Sequence, residues 1–112
     1  MTIKILAIDD DPALMELLNI ILTTQGFKVK TATTGIEGVR LVKEFDPDII
    51  ILDLMMPGMN GWEVCKKVRE FSHTPILILS ALDNPGDVAS ALDSGADDYL
   101  VKQVPTGVLV AH

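Results

Sequence analysis

The chain has few of the residues that disulfide-rich, aromatic-rich or membrane proteins depend on. It has one cysteine, Cys65, which excludes an intrachain disulfide and a cysteine-based metal cluster. Phe, Trp and Tyr make up 4% of the residues, so Ile, Leu and Val must build the core. No apolar run approaches the roughly 20 residues that a membrane-spanning helix needs. The N-terminal residues run directly into a predicted strand without a signal-peptide pattern, so we expect a cytoplasmic protein.

The charge of the chain is strongly one-sided. Sixteen acidic residues against nine Lys and Arg residues give a formal net charge of -7. Because nucleic acids and anionic membranes repel such a protein, we expect direct binding to neither. The acidic excess is compatible with a cation-binding site. With 112 residues, 48% of them hydrophobic, the chain is expected to form one compact domain over residues 1–112.

Short apolar runs alternate with helical patterns along the whole chain. The runs that we predict as strands are residues 3–8, 28–32, 49–52, 76–79 and 98–101. The runs 49–52 and 76–79 are apolar at every position, which indicates strands buried on both faces in the middle of a parallel sheet. This order predicts an α/β fold with five parallel strands and helices on both faces of the sheet. After residue 102 we expect the last helix to be truncated or absent.

Capping residues and apolar spacing predict where the helices begin and which faces they bury. The predicted helix starts are Asp11-Pro12, Thr34, Asn60 and Asn84-Pro85. Positions three and four apart should face the core. They are Leu14, Leu17, Leu18, Ile21 and Leu22 in the first helix, Ile36, Val39 and Val42 in the second, Val64, Cys65, Val68 and Phe71 in the third, and Val88, Ala91 and Leu92 in the fourth.

Polar side chains stand at the ends of four predicted strands. They are Asp9 and Asp10, then Asp53, Ser80 and Lys102. Because ligands of an open parallel sheet bind outside the carboxyl ends of the strands, we expect these side chains to meet at one edge. Three neighbouring carboxylates repel one another and need a cation, and hard oxygen ligands favour Mg²⁺. We predict Asp10 and Asp53 as direct ligands, with Asp9 acting through water.

The same residues suit phosphoryl transfer to a carboxylate. Asp53 can attack phosphorus to give an aspartyl phosphate. Negative charge on the equatorial oxygens of the loose transition state would be stabilised by the cation, by the Lys102 ammonium and by the Ser80 hydroxyl. Each residue alone has a simpler explanation as a turn or edge residue. Their combination at one sheet edge favours the functional interpretation.

Four stretches resemble the receiver domain of two-component response regulators. They are residues 5–12, 51–61, 75–81 and 95–102. The resemblance implies the flavodoxin-like (CheY-like) doubly wound fold with strand order 2-1-3-4-5. It implies phosphoryl transfer to Asp53 from the phosphohistidine of a histidine kinase or a histidine phosphotransfer protein. A receiver of this kind catalyses only its own phosphorylation and dephosphorylation, and is not an enzyme with a separate substrate.

The resemblance also implies a role for each site residue. It implies Mg²⁺ held by Asp10, Asp53 and the backbone carbonyl of Met55, with Asp9 assisting. Lys102 and Ser80 match the phosphate-contacting positions of the family, Ser80 also has a switch role, and Tyr99 matches the switch aromatic. In the family, the hydroxyl at the Ser80 position moves onto the phosphate and the switch aromatic turns inward. These movements would reshape the face formed by the fourth helix, fifth strand and fifth helix, through which an output domain or a homodimer would be controlled.

One position departs from the family pattern. Gln103 stands where the family usually has a proline joined by a cis peptide bond. A cis bond before a residue other than proline costs roughly 3 kcal/mol. We therefore expect a trans bond before Gln103.

Two other functions compete with the receiver interpretation. A haloacid-dehalogenase-like phosphatase would use Asp9 as its nucleophile, with Asp11, Ser80 and Lys102, but it needs further acids after the lysine and none follows residue 102. The phosphorylated residue distinguishes the two functions, since it would be Asp53 in a receiver and Asp9 in such a phosphatase. A pseudo-receiver would be an interaction module without phosphotransfer. A nucleotide-binding domain is less favoured, because Gly-x-Gly-x-x-Gly is absent after the first strand.

Overall fold

The computed structural model describes residues 2–102, which form a five-stranded parallel sheet and four helices. The elements are β1 (Lys4–Ile8), α1 (Pro12–Thr24), β2 (Lys28–Ala32), α2 (Gly35–Phe45), β3 (Ile49–Leu52), α3 (Gly61–Arg69), β4 (Ile76–Ser80), α4 (Pro85–Asp93) and β5 (Asp98–Val101). The strand order is β2-β1-β3-β4-β5 and every pairing is parallel, which confirms the predicted topology. The predictions for Gln103 and the last helix lie outside the described residues.

Side-chain caps begin the helices at the predicted residues. The Asp11 carboxylate accepts hydrogen bonds from the amides of Ala13 and Leu14, before Pro12 at the first helical position. Asn60 and Glu63 form a reciprocal capping box at the start of α3. Each cap satisfies amides that lack a partner in the first turn, so short polar motifs fix the helix starts beside the sheet edge. No helix within residues 2–102 is long and apolar enough to cross a membrane.

The main core lies between one face of the sheet and helices α2, α3 and α4. The strands contribute alternate residues, namely Leu6, Ile8, Ala32, Ile50, Leu52, Ile76 and Ile78. The helices contribute Leu41, Val42, Phe45, Val64, Cys65, Val68 and Ala91. Helix α1 packs mainly along β1 and β2. This packing holds β1, β3 and β4 against the helices, just before the carboxyl ends of these strands.

The central strands are not buried equally on their two faces. Ile50 and Leu52 are fully buried, whereas Ile49 and Ile51 are only half-buried. Within residues 2–102, α1 does not cover β3 and β4 as it covers β1 and β2. The prediction of full burial on both faces was therefore wrong for alternate residues of these strands.

Several predicted core-facing residues are exposed. Leu17 and Ile21 of α1 are about half exposed, as are Phe71 and Leu92. Ile36 is 71% exposed, because the first turn of α2 approaches its neighbours through Gly35 and Gly38 instead. A Cβ atom at residue 38 would lie 2.5 Å from Ile8 Cδ1. The buried face of α2 therefore includes Gly35 and Gly38 and is rotated away from the predicted face that included Ile36.

Arg69 fixes the position of β5 beside β4. Its guanidinium donates to the carbonyl oxygens of Gly95 and Thr74 and to the Asp97 carboxylate. The Asp97 carboxylate also accepts from the amide of Ile76, the first residue of β4. This network joins the end of α3 to the starts of β4 and β5, and so helps to hold the strand that carries Lys102.

Candidate functional site

The three predicted carboxylates meet at the carboxyl edge of the sheet. Asp9 and Asp10 follow β1, and Asp53 follows β3, which is paired with β1. One carboxylate oxygen of each residue lies within 4.8 Å of the other two. Asp9 and Asp53 are buried at 4% and 7% exposure, whereas Asp10 is exposed. The site is thus a pair of buried acids with a third acid at its mouth.

Lys102 reaches into this cluster from the end of β5. Its Nζ atom lies 2.6 Å from Asp9 Oδ2 and 3.8 Å from Asp53 Oδ1. The other Asp9 oxygen accepts a hydrogen bond from the Asp11 amide. The backbone amide of Lys102 donates to the Ser80 carbonyl at 2.7 Å, which ties this residue to β4. Two buried carboxylates therefore share one ammonium group within the described part of the chain.

Electrostatics make the Asp53 carboxylate costly to ionise in this setting. Burial is the largest cause that raises its pKa, and the neighbouring Asp9 charge raises it further. Lys102 and the amides of Met55 and Leu54 oppose this effect only in part. A second cation at the cluster would remove the remaining repulsion. The donor set consists of carboxylate oxygens, which suits a hard divalent cation such as Mg²⁺ better than softer metals.

Ser80 and Tyr99 both bind the peptide groups of Leu82. The Ser80 Oγ atom accepts from the Leu82 amide at 3.3 Å, and the Tyr99 hydroxyl donates to the Leu82 carbonyl at 2.6 Å. Ser80 is fully buried and is the last residue of β4, not the first residue after it. The loop after β4 thus links the two predicted switch residues. Sequence reasoning missed Leu82 because its contribution comes from backbone atoms.

An apolar cavity of about 420 Å³ lies beside the acidic cluster. Its walls are Met55, Met56, Pro57, Asn60 and Trp62. The Met55 side chain is 58% exposed. Trp62 is half-buried against the core, and its indole Nε1 atom is buried without a hydrogen-bond partner in the described structure. Trp62 therefore lies between this cavity and the core.

Solved structures show which class of protein has this fold. The chemotaxis protein CheY4 of Vibrio cholerae superposes with a TM-score of 0.85 at 32% identity, over 99% of this chain and 95% of that one. The BeF3-activated receiver domain of Klebsiella pneumoniae RstA also gives 0.85, at 31% identity over 96% of this chain and 92% of that one. The fold is therefore that of CheY-like receiver domains.

Sequence comparisons identify the family. Residues 5–112 match the family model of the response regulator receiver domain, so the chain belongs to that family. The transcriptional regulatory protein AfsQ1 of Streptomyces coelicolor is 46% identical over 97% of this chain and 48% of its own length. The DNA-binding response regulator MtrA of Mycobacterium tuberculosis is 43% identical over the same shares. The chain spans about half the length of these relatives. A phosphoacceptor role fits the family, and neither the phosphatase nor the pseudo-receiver alternative is favoured.

Proposed function

We propose that residues 1–112 form a single receiver domain in which Asp53 accepts a phosphoryl group in a Mg²⁺-dependent reaction. The observation that carries this proposal is the meeting of Asp9, Asp10 and Asp53 with the Lys102 ammonium at one sheet edge. An aspartate that serves only as a turn residue at a strand end does not require neighbouring acids or a lysine. Buried acids clustered around one lysine instead provide an attacking carboxylate and positive charge for phosphoryl oxygens.

The phosphodonor is proposed to be a phosphohistidine of a histidine kinase or phosphotransfer protein. An Asp53 carboxylate oxygen forms a bond to phosphorus as the P–N bond breaks. The electron pair of that bond stays on the imidazole nitrogen, which then takes up a proton. No other substrate is consumed, so the domain catalyses only its own phosphorylation and later hydrolysis of the aspartyl phosphate.

The chain's own residues would hold the cation and orient the phosphoryl group. Asp10, Asp53 and the Met55 carbonyl are assigned as direct Mg²⁺ ligands, with Asp9 acting through water. When bound, Mg²⁺ supplies positive charge that offsets the phosphoryl oxygens. Lys102 would exchange its contact with Asp9 for a contact with a phosphoryl oxygen.

The Leu82 contacts provide a route from the site to a signalling surface. If the Ser80 hydroxyl turns to donate to a phosphoryl oxygen, its bond from the Leu82 amide is lost. That change releases one of two side chains that hold the Leu82 peptides, the other being Tyr99. The surface formed by α4 and β5 would then bind an output domain or a second copy. DNA binding would belong to such an output domain and not to this acidic domain.

Cation and phosphoryl-analogue binding test this assignment directly. Trp62, the only tryptophan, is the second residue of α3, and the preceding Gly61 amide donates to the Leu54 carbonyl next to Asp53. We expect Mg²⁺ to change its fluorescence and beryllofluoride with Mg²⁺ to change it again. Asp53→Asn should remove the beryllofluoride response, while Asp93→Asn, at an exposed position of α4, should retain it. An unchanged beryllofluoride response in Asp53→Asn would refute the site.

Lys102→Ala should separate cation binding from phosphoryl binding. The ammonium is assigned to a charge-assisted contact worth roughly 1.5–3 kcal/mol. Its loss should weaken beryllofluoride binding about tenfold or more at saturating Mg²⁺. Mg²⁺ binding should persist, because removing a competing cation leaves all three carboxylates in place. Fluorescence titration checks both constants, and full-strength beryllofluoride binding would contradict the role given to Lys102.

A further inference from the structure

A second cleft is lined mainly by basic residues and shares no residue with the acidic site. It has a volume of about 500 Å³ and lies between the edge strand β2 and helix α2. Its lining residues are Lys4, Lys28, Lys30, Arg40, Leu41, Glu44 and Phe45. Four of the chain's nine Lys and Arg residues therefore meet around one cleft with a single acid, in a protein of net charge -7.

The three lysines are close neighbours on one face of the sheet. Lys4 of β1 and Lys28 of β2 are register partners, and Lys30 lies two residues after Lys28 on the same face. Like charges in neighbouring strands repel each other. Within residues 2–102, no carboxylate oxygen lies within 4.0 Å of any of these three ammonium groups. The repulsion is therefore not relieved by a nearby ion pair.

Phe45 helps to hold two of these ammonium groups in place. The Nζ atoms of Lys4 and Lys30 lie 5.5 Å and 5.6 Å from the centroid of its ring. Lys4 Nζ also donates to the Phe45 carbonyl at 2.9 Å, so it has a defined position at the end of α2. Lys28 and Lys30 are exposed and face open solvent in the cleft. The cleft thus combines Lys4, which is fixed by a hydrogen bond, with two exposed lysines, of which Lys30 also lies over the Phe45 ring.

We propose that this cleft binds the oligophosphate group of a small ligand. An anion with two or three linked phosphates would contact several lysines at once, which a single sulfate or carboxylate could not do. Phe45 and Leu41 are buried, so they offer no face on which a nucleobase could stack. Recognition would therefore rest on the phosphates, whether they come from an inorganic oligophosphate or from a nucleoside triphosphate.

Calorimetric titration of the 112-residue chain without Mg²⁺ tests this proposal, because the acidic site should not bind phosphates without its cation. At a constant ionic strength of about 0.15 M, binding should strengthen from sulfate to pyrophosphate to tripolyphosphate. Lys28→Gln/Lys30→Gln should weaken tripolyphosphate binding about tenfold or more. Lys66→Gln/Lys67→Gln removes two exposed charges from α3 and should bind as the wild type does. Amide NMR shifts from tripolyphosphate should centre on β2 and the end of α2.

Further ligands separate the sources and set the limits of the proposal. Adenosine triphosphate binding no tighter than tripolyphosphate would identify the free oligophosphate as sufficient, whereas tighter binding would identify a nucleotide. Either result supports the proposal that the cleft binds an oligophosphate group. The proposal would be overturned if the wild-type chain bound tripolyphosphate no more tightly than sulfate, or if Lys28→Gln/Lys30→Gln bound tripolyphosphate as tightly as the wild type. It would also be overturned if short duplex DNA bound as tightly as tripolyphosphate at the same phosphate concentration.

Discussion

Asp53→Asn is expected to abolish acid-labile phosphate incorporation from acetyl phosphate and Mg²⁺. The amide has the shape of the carboxylate but neither its negative charge nor its nucleophilic oxygen. No other carboxylate in the cluster has the same surroundings, since Asp9 is held by Lys102 and the Asp11 amide, and Asp10 is exposed. Intact-protein mass spectrometry should show one phosphoryl adduct on the native chain and none on the variant.

The same substitution should stabilise the fold when Mg²⁺ is absent. Burial and Asp9 raise the pKa of Asp53 above its unfolded value, so its ionisation disfavours the native state. The stability that the protonated Asp53 carboxyl gives to the native state is fully present below the pKa that this group has in the unfolded chain. It is lost as pH rises through the pKa that the group has in the folded chain. At neutral pH the neutral amide avoids this loss, so the variant should melt at a higher temperature. The difference should shrink as pH falls below the ordinary carboxyl range.

One outcome would contradict the assignment of Asp53 as the acceptor, and another would contradict the raised pKa of its carboxyl group. Full phosphate incorporation in Asp53→Asn would move the acceptor elsewhere, and mapping it to Asp9 would revive the phosphatase scheme. A lower melting temperature for Asp53→Asn in Mg²⁺-free buffer would show that the carboxylate is stabilised in the native state. Asp93→Asn is the matched control, because it removes one carboxylate from an exposed position of α4 without touching the cluster.

The strands and helix starts were predictable because their signals are local. The strands predicted at 49–52 and 98–101 coincide with β3 and β5. Asp11 and Asn60 cap their helices as expected, because a short polar side chain beside unpaired amides has few better partners. The site followed from the strand ends, since parallel pairing brings those ends to one edge.

The details that sequence reasoning missed depend on contacts between distant elements. The buried face of α2 could not be read from apolar spacing, because its closest approaches are made by Gly35 and Gly38. Glycine contributes no hydrophobic signal even where it permits the tightest packing. The link from Ser80 to Tyr99 was missed for a different reason, since Leu82 provides it through backbone atoms. Neither feature has a local sequence pattern.

Gly61→Ala is expected to cause the largest loss of stability among single substitutions near the site. A Cβ atom at residue 61 would lie 2.4 Å from the Asp53 carbonyl oxygen and 2.7 Å from Leu54 Cα. Both atoms belong to the backbone, so neither can rotate away as a side chain would. Overpacking usually costs about 1–3 kcal/mol and more when the backbone must move, so we expect about 3 kcal/mol or more. Urea denaturation monitored by circular dichroism measures this change.

Gly86→Ala provides the matched control for that experiment. The added Cβ atom would meet only the Asn84 side-chain oxygen, at 3.1 Å, and that side chain lies on the exposed start of α4. Its free energy of unfolding should therefore change by less than about 1 kcal/mol. Native-like stability of Gly61→Ala would show that the loop after β3 can move away from α3. Because that loop begins at Asp53 and contains the Met55 carbonyl, the close contact at Gly61 is what would keep the acceptor and a proposed metal ligand in fixed relation. Gly61→Ala should accordingly weaken Mg²⁺ binding even under conditions in which the variant remains folded.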